Sequence, residues 1–251
     1  MSKISGAILL LALTAATPCQ PLAAQLPDRF TNLRVLPKAI TRDSLLTVMK
    51  GFSFSLGVPC KYCHVGGDDD PRNLRGVQFA KDDDPDKRKA RFMMQMLDSL
   101  NQTVLARLPD RDVPAVRMTC KTCHRGQAKP LLLTQEMALA YDSGGAEAAI
   151  ARYRALREHE GMGGAFDFGE WEVNNWADRL AEEGRNADAL AIYELNYEFF
   201  PRSNSVVGSI AVLAERLADT TKAVRFWKTL LELSPGNRAA ANHLARLTPG
   251  S

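Results

Sequence analysis

The sequence has little of what metal sites and hydrophobic cores are usually built from. Only four histidines and five cysteines occur in 251 residues, and aromatic residues make up 7% of the chain. Glutamate is absent from residues 25–134, although aspartate is frequent there. After the N-terminal segment, no apolar run approaches the ~20 residues of a transmembrane helix. The sequence therefore predicts no transmembrane helix after the N-terminal segment, and the few histidines and cysteines limit the residues that can bind a metal.

Four of the five cysteines fall in two copies of one motif, Cys-x-x-Cys-His. We call Cys60–His64 the first motif and Cys120–His124 the second motif. The pattern is typical of covalent haem c attachment, in which two thiols add to the porphyrin vinyl groups and the histidine binds iron. The predicted haem c residues are Cys60, Cys63 and His64 for one haem, and Cys120, Cys123 and His124 for the other.

Two other uses of paired cysteines fit this sequence less well. Two Cys-x-x-Cys pairs that share one zinc ion are usually ~15–20 residues apart, whereas 56 residues separate Cys63 from Cys120. Thioredoxin-like chemistry expects a single pair in a β-α-β setting, and the surrounding pattern is helical. Both alternatives are therefore disfavoured relative to two haem groups.

The first 24 residues have the pattern of a secretory signal peptide. Lys3 precedes the apolar run 7–13, and small residues follow up to Ala24. We expect cleavage near Ala24 and a periplasmic protein, because c-type haem is attached outside the bacterial cytoplasm. Lipidation of Cys19 is an alternative, although Pro18 replaces the small residue expected before a lipidated cysteine. A signal segment left uncleaved would instead anchor the protein to the membrane.

Composition divides the rest of the chain into two predicted domains, 25–134 and 135–251. The first part has 19 Lys and Arg against 12 Asp, a formal charge of +7. The second part has 12 Lys and Arg against 17 Asp and Glu, a formal charge of −5. Because the first part is poor in apolar side chains, we expect it to need haem for folding.

A helix is predicted before each motif, and each helix contains methionine. The first helix runs from Thr41, a plausible N-cap, to Leu56, and the second from Pro85 to Leu105. With only two further histidines in the chain, His159 and His243, methionine is the expected sixth iron ligand. Methionine on an apolar helix face is otherwise ordinary core. The available methionines are Met49 on the first helix, Met93, Met94 and Met96 on the second, and Met118 beside the second motif.

The region from about residue 35 to 132 resembles the cytochrome c subunit of photosynthetic reaction centres. The matching segments are Met49–His64, Phe79–Pro85, Lys87–Met96 with Asn101, and Val116–Gly126 with Pro130. The resemblance implies units of helix, turn and haem motif, with Met49 ligating the first iron and Met96 the second. Well-known members bind four haems, and one of these uses a histidine as sixth ligand, which has no counterpart here. The resemblance therefore implies electron transfer more firmly than photosynthesis.

The C-terminal part contains a 34-residue repeat. The repeat pairs Ala177 with Ala211, Ala189 with Ala223, Tyr193 with Trp227, and Pro201 with Pro235. The period is that of the tetratricopeptide repeat, a helical hairpin that stacks into a protein-binding or peptide-binding array. We expect a degenerate earlier hairpin over 136–158 and a capping helix over 237–247.

The sequence therefore predicts an all-α protein, with a two-haem cytochrome c domain followed by tetratricopeptide-like hairpins. The expected function is transfer of single electrons between redox proteins, with no nucleic acid partner. A two-haem peroxidase is an alternative, but no spare histidine or acid–base pair is evident for it. A second alternative is an interaction protein in which the repeats matter most and haem is mainly structural. For the repeats themselves, binding a protein or peptide and merely capping the cytochrome stay open.

Overall fold

A computed structural model describes residues 29–249, and within them the protein is all-α. The predicted signal peptide, residues 1–24, and Cys19 lie outside the described residues. No β-strand occurs in the described part, where a single antiparallel bridge joins Gly66 to Val77. The all-α prediction is confirmed. The α-helices are α1 (Arg42–Leu56), α2 (Pro85–Ser99), α3 (Cys120–His124), α4 (Leu133–Glu160), α5 (Glu170–Glu182), α6 (Asn186–Phe199), α7 (Asn204–Arg216), α8 (Thr220–Leu233) and α9 (Arg238–Leu247).

The chain forms two compact units that divide between Cys120 and Lys121. This division lies earlier in the chain than the domain limits that composition indicates, 25–134 and 135–251, which stay a prediction. No helix within residues 29–249 has the length and apolar character needed to cross a bilayer.

Helix α1 begins and ends where its local sequence predicts. The Thr41 hydroxyl accepts a hydrogen bond from the Ser44 backbone N–H at 3.2 Å, which satisfies one of the unpaired donors of the first turn. At the other end Gly57 has φ of 69°, and its N–H reaches the Ser53 carbonyl at 2.8 Å. Glycine adopts this left-handed conformation without steric cost, so α1 stops just before the first motif.

Helix α2 begins as predicted but changes form before its predicted end. Asp84 caps it by accepting from the Asp86 N–H at 2.8 Å, and Pro85 takes the first helical position. The α-helical geometry ends at Ser99 rather than at Leu105. A π-turn over Leu100–Val104 and a 3₁₀ turn over Leu105–Arg107 continue it.

The two units differ sharply in how they bury apolar side chains. Leu74 is the single buried hydrophobic residue among residues 29–120. The second unit instead has a continuous core formed by side chains from α4 to α9. Large apolar side chains of the first unit stay exposed, including Phe54 on α1 at 77% and Phe92 on α2 at 65%.

The second unit repeats its helices with the period found in the sequence. Helix α7 begins and ends 34 residues after α5, and α8 begins and ends 34 residues after α6. The paired alanines at 177 and 211 and at 189 and 223 are fully buried. Small residues at these places let helices pack closely, as the repeat predicts.

The elements that flank the repeats also match the expectation in outline. Helix α4 covers the predicted hairpin 136–158, and its helical geometry breaks at Gly144 and Gly145, where Gly145 has φ of 70°. Helix α9 covers the predicted capping helix, and the Asn237 side chain accepts from the Ala240 N–H at 3.0 Å. Both segments contribute side chains to the core of the unit.

Candidate haem sites

The first motif folds as one tight turn directly after α1. Residues Cys60–Tyr62 form a 3₁₀ turn, and the Cys60 carbonyl accepts from the backbone N–H groups of Cys63 and His64, both at 3.2 Å. Both thiols and the imidazole therefore belong to a single turn of chain. This compact arrangement suits a single porphyrin, because the two thiols must reach its vinyl groups while the imidazole reaches its iron.

His64 is half-buried and held beside an aromatic ring. Its imidazole lies edge-to-face against Phe79, with ring centroids 5.1 Å apart. Burial, reinforced by the charge of Lys87, lowers the pKa of His64 to about 4. Near neutral pH the imidazole is thus uncharged, which is the form that donates a lone pair to a metal. Its Nδ1 atom is buried without a hydrogen-bond partner among the described residues.

The environment of Cys63 favours an uncharged sulfur. Burial, together with the nearby carboxylates of Asp84 and Asp86, raises the pKa of the Cys63 thiol to about 11. A thioether, the product of thiol addition to a vinyl group, is a neutral group of the same kind. No disulfide joins the four motif cysteines in the described chain.

The second motif forms the short helix α3, and its histidine is oriented by the backbone that follows. His124 Nδ1 lies 2.8 Å from the Gln127 carbonyl oxygen. A carbonyl only accepts, so Nδ1 holds the proton and the Nε2 lone pair remains for a metal. Metal-bound histidines usually have such a partner on the other ring nitrogen, which fixes the ring and its tautomer.

The methionines lie on the helices that precede the motifs. Met49 is half-buried on α1, and Met96 is 48% exposed on α2. Phe92 and Met93 are also exposed on α2, one turn before Met96. An apolar helix face of this kind suits contact with the face of a porphyrin. The structure places each methionine on its predicted helix, and their roles as ligands remain proposals.

Lys61, inside the first motif, is largely buried and makes contacts that sequence reasoning missed. Its side chain is 13% exposed, and its ammonium donates to the backbone carbonyls of Asp68 and Asp70, each at 2.6 Å. It also pairs with the Asp68 carboxylate at 3.0 Å. The ammonium thus holds the loop Gly66–Asp70 against the first motif. The sequence of this polar loop gives no sign that a lysine of the motif binds it.

Asp82 forms the centre of an ionic cluster that sequence reasoning missed. Its carboxylate contacts Arg91 at 2.9 Å, Arg34 and Lys87 at 3.1 Å, and the Asn32 amide at 2.9 Å. The hydrogen bond from Arg91, joined by those from Asn32 and Lys87, holds the pKa of Asp82 well below its usual range. The cluster ties residues 32–34 to the start of α2.

Asn101 connects the end of α2 to the approach of the second motif. Its side-chain oxygen accepts from the Met118 N–H at 2.8 Å, and its amide donates to the Met118 carbonyl at 2.9 Å. The same amide also donates to the Leu97 carbonyl at 3.0 Å. One side chain therefore positions the backbone two residues before Cys120, a role that sequence reasoning missed.

These residues fit haem c on grounds of geometry and chemistry. Each motif gathers two cysteines and a histidine into one turn, and each histidine can offer a neutral ring nitrogen. Exposed apolar side chains on α1 and α2 provide the kind of surface that a porphyrin covers. If haem binds, His64 and His124 are the residues of the two motifs that would ligate iron, and the four cysteines would hold the macrocycles.

Comparison with known proteins supports the same chemistry for the N-terminal part of the chain. No curated protein matches the chain significantly. Residues 23–135 match the family model described as photosynthetic reaction centre cytochrome C subunit. Members of that family are electron carriers with covalently bound haem c and redox protein partners, and they are exported or membrane-associated.

Proposed function

We propose that the protein is an exported two-haem c-type cytochrome that carries single electrons between redox proteins outside the cytoplasm. The observation that carries the proposal is the folding of both Cys-x-x-Cys-His motifs into single turns within the region that matches the cytochrome family. Bound haem would supply the one-electron iron couple. In this proposal Cys60 and Cys63 hold the first haem, and Cys120 and Cys123 hold the second.

Side chains of the protein would supply two ligands to each iron. His64 and His124 are the proposed histidine ligands, and Met49 and Met96 are the proposed methionine ligands. Histidine–methionine ligation gives a c-type haem a higher reduction potential. An iron with two protein ligands exchanges electrons without binding substrate, so we propose a carrier and not a peroxidase.

The C-terminal unit, which we propose to be a tetratricopeptide-like array over 135–251, would bind a protein or peptide. The support is the 34-residue displacement between successive helix pairs and the buried alanines at their crossings. Repeats of this type expose a concave face to partners.

Charge supports different partners for the two parts of the chain. The formal charge of +7 on residues 25–134 favours brief contact with acidic redox proteins, and such contact weakens as salt screens it.

The limits of the haem domain are proposed as 25–134, next to the end of the family match at residue 135. The proposed location is the periplasm, with a membrane anchor if the N-terminal segment is retained.

Carbon monoxide binding to the reduced protein separates a carrier from an enzyme. If both irons have two protein ligands, adding carbon monoxide should leave the absorption spectrum of the reduced protein unchanged. Met49→Ala and Met96→Ala should each open one iron and produce a carbon monoxide complex. Met94→Ala is the matched control, since this half-buried methionine shares α2 with Met96. Carbon monoxide binding at one haem of the unaltered protein would contradict the carrier proposal and favour the enzyme.

A further inference from the structure

The ammonium of Lys87 is fixed beside the histidine of the first motif. Lys87 lies in the first turn of α2, and its side chain is 11% exposed. Its Nζ donates to the Phe79 carbonyl at 2.7 Å and to the Lys81 carbonyl, and it pairs with Asp82 at 3.1 Å. Three oxygen partners hold the charge in one place, so it cannot move away into solvent.

The Phe79 residue connects this charge to His64. Its carbonyl accepts from Lys87, and its ring packs edge-to-face on the His64 imidazole. Asp84 opposes the charge of Lys87 at His64, and Arg91 adds to it. Phe79 thus lies between a largely buried ammonium and a half-buried imidazole, where solvent screening is weak.

We propose that Lys87 raises the reduction potential of the first haem, as a fixed cation against the Phe79–His64 pair. The inference rests on the proposed function. Oxidised haem carries one more positive charge than reduced haem, and a nearby fixed cation favours the reduced form. The cluster as a whole is positive, because Lys87, Arg34 and Arg91 surround the carboxylate of Asp82.

Potentiometric titration of the full, haem-loaded chain tests the proposal with variants of opposite charge effect. Lys87→Met, which removes the cation but keeps the chain length, should lower the potential of one haem and leave the other unchanged. Lys87→Arg should restore the potential. Asp84→Asn should raise the potential of the same haem, because asparagine also caps helices and only the charge is lost.

Lys81→Met is the matched control for general surface charge. The Lys81 side chain is 55% exposed, and its ammonium lies 3.9 Å from Asp83, so solvent screens it. It should leave both potentials unchanged. A C120A/C123A variant, which keeps only the first motif, identifies the haem that responds. If that variant does not accumulate, movement of one potential and not the other in the full chain supports the proposal.

The outcomes separate this inference from the function on which it rests. Two one-electron transitions in the unaltered protein support the two-haem carrier, whatever the variants do. If Lys87→Met leaves both potentials in place, or if Lys87→Met and Asp84→Asn shift them in the same direction, the proposal is overturned. A shift in the same direction would mean that the variants act by loosening the structure. If the unaltered protein contains no haem, the proposed function itself is refuted.

Discussion

At the scale of single residues, the first unit is held together by polar side chains rather than by a core. Lys61 closes a loop onto the first motif, Asp82 gathers three cations, and Asn101 pairs with the Met118 backbone. Each contact joins segments that are near the haem motifs. With Leu74 as the one buried hydrophobic residue among 29–120, these contacts are the main specific constraints on motif position.

Asn101→Ala should destabilise the haem-loaded protein measurably. The substitution leaves the Met118 N–H and carbonyl without their partner, and each such lost hydrogen bond costs roughly 1–3 kcal/mol when the group stays buried. Because Met118 is half-buried, we expect a decrease of about 1–3 kcal/mol in the free energy of unfolding. Denaturant titration of the Soret band measures it.

Gln102→Ala is the control for that prediction. Its amide pairs with the exposed Asp98 carboxylate on the same helical stretch, so its loss should cost little. Equal stability of the Asn101 variant and the unaltered protein would mean that the Met118 contact does not position the second motif.

At the scale of elements, the sequence predicts helix ends wherever the capping signal is local. The caps of α1 are Thr41 and Gly57, and the N-cap of α9 is Asn237. Each cap bonds to backbone within about one turn, so the neighbouring sequence is sufficient to predict where these helices begin or end. The helical course of α2 to about Leu105 agrees with the structure, but the change from α-helical to π-helical geometry after Ser99 was not predicted. It falls at the turn containing Asn101, whose partner Met118 is 17 residues away, and sequence periodicity carries no signal for such a contact.

The capping helix α9 is attached to the repeats through a cluster around Glu215. Its carboxylate accepts from Trp227 of α8 at 3.1 Å and from Arg246 of α9 at 2.7 Å, and it lies 2.7 Å from His243 Nδ1. The His243 ring stacks on Trp227 at 4.3 Å between centroids. Burial would raise the pKa of Glu215, but the hydrogen bonds from His243, Arg246 and Trp227 outweigh it and lower the pKa.

A lowered pKa makes the stability of this cluster depend on pH in the acid range. The carboxylate stabilises the fold fully above the ordinary glutamate value of 4.5, and this contribution is lost as pH falls below 4.5 through the folded-state pKa. Glu215→Gln should therefore lower the free energy of unfolding by about 1–3 kcal/mol at neutral pH. The variant should also lose less stability than the unaltered protein as pH falls below 4.5.

Urea denaturation of the full chain, followed by tryptophan fluorescence, measures the effect of Glu215→Gln. Trp227 is a direct reporter because it contacts both Glu215 and His243. Glu182→Gln, at an exposed position on α5, is the matched control. An acid profile that is identical in the Glu215 variant and the unaltered protein would show that another group governs the pH dependence.

At the scale of the whole molecule, the two units obtain stability from different sources. The second unit buries a continuous core, whereas large apolar side chains of the first unit face outward on α1 and α2. Sequence composition predicted this difference, since the aromatic and aliphatic inventory of 25–134 is thin for its length. It could not predict the ionic cluster around Asp82, because Asn32 and Arg34 reach the carboxylate from about 50 residues earlier in the chain.

A haem-free chain should be folded in its C-terminal part and largely unfolded over residues 25–134. Replacing the four motif cysteines by alanine prevents covalent attachment. Hydrogen exchange should then be fast throughout α1 and α2 and slow in α5 to α8, where the side chains are buried. Slow exchange in both parts would contradict the view that haem supplies the missing apolar mass.

The central claim, that each motif carries one haem c, is tested most directly by the intact mass of the denatured, exported protein. The chain should carry the mass of two covalent haems, and the C60A/C63A and C120A/C123A variants should each carry one. A chain with no covalent haem, or one whose haem content is unchanged when either cysteine pair is removed, would contradict the account.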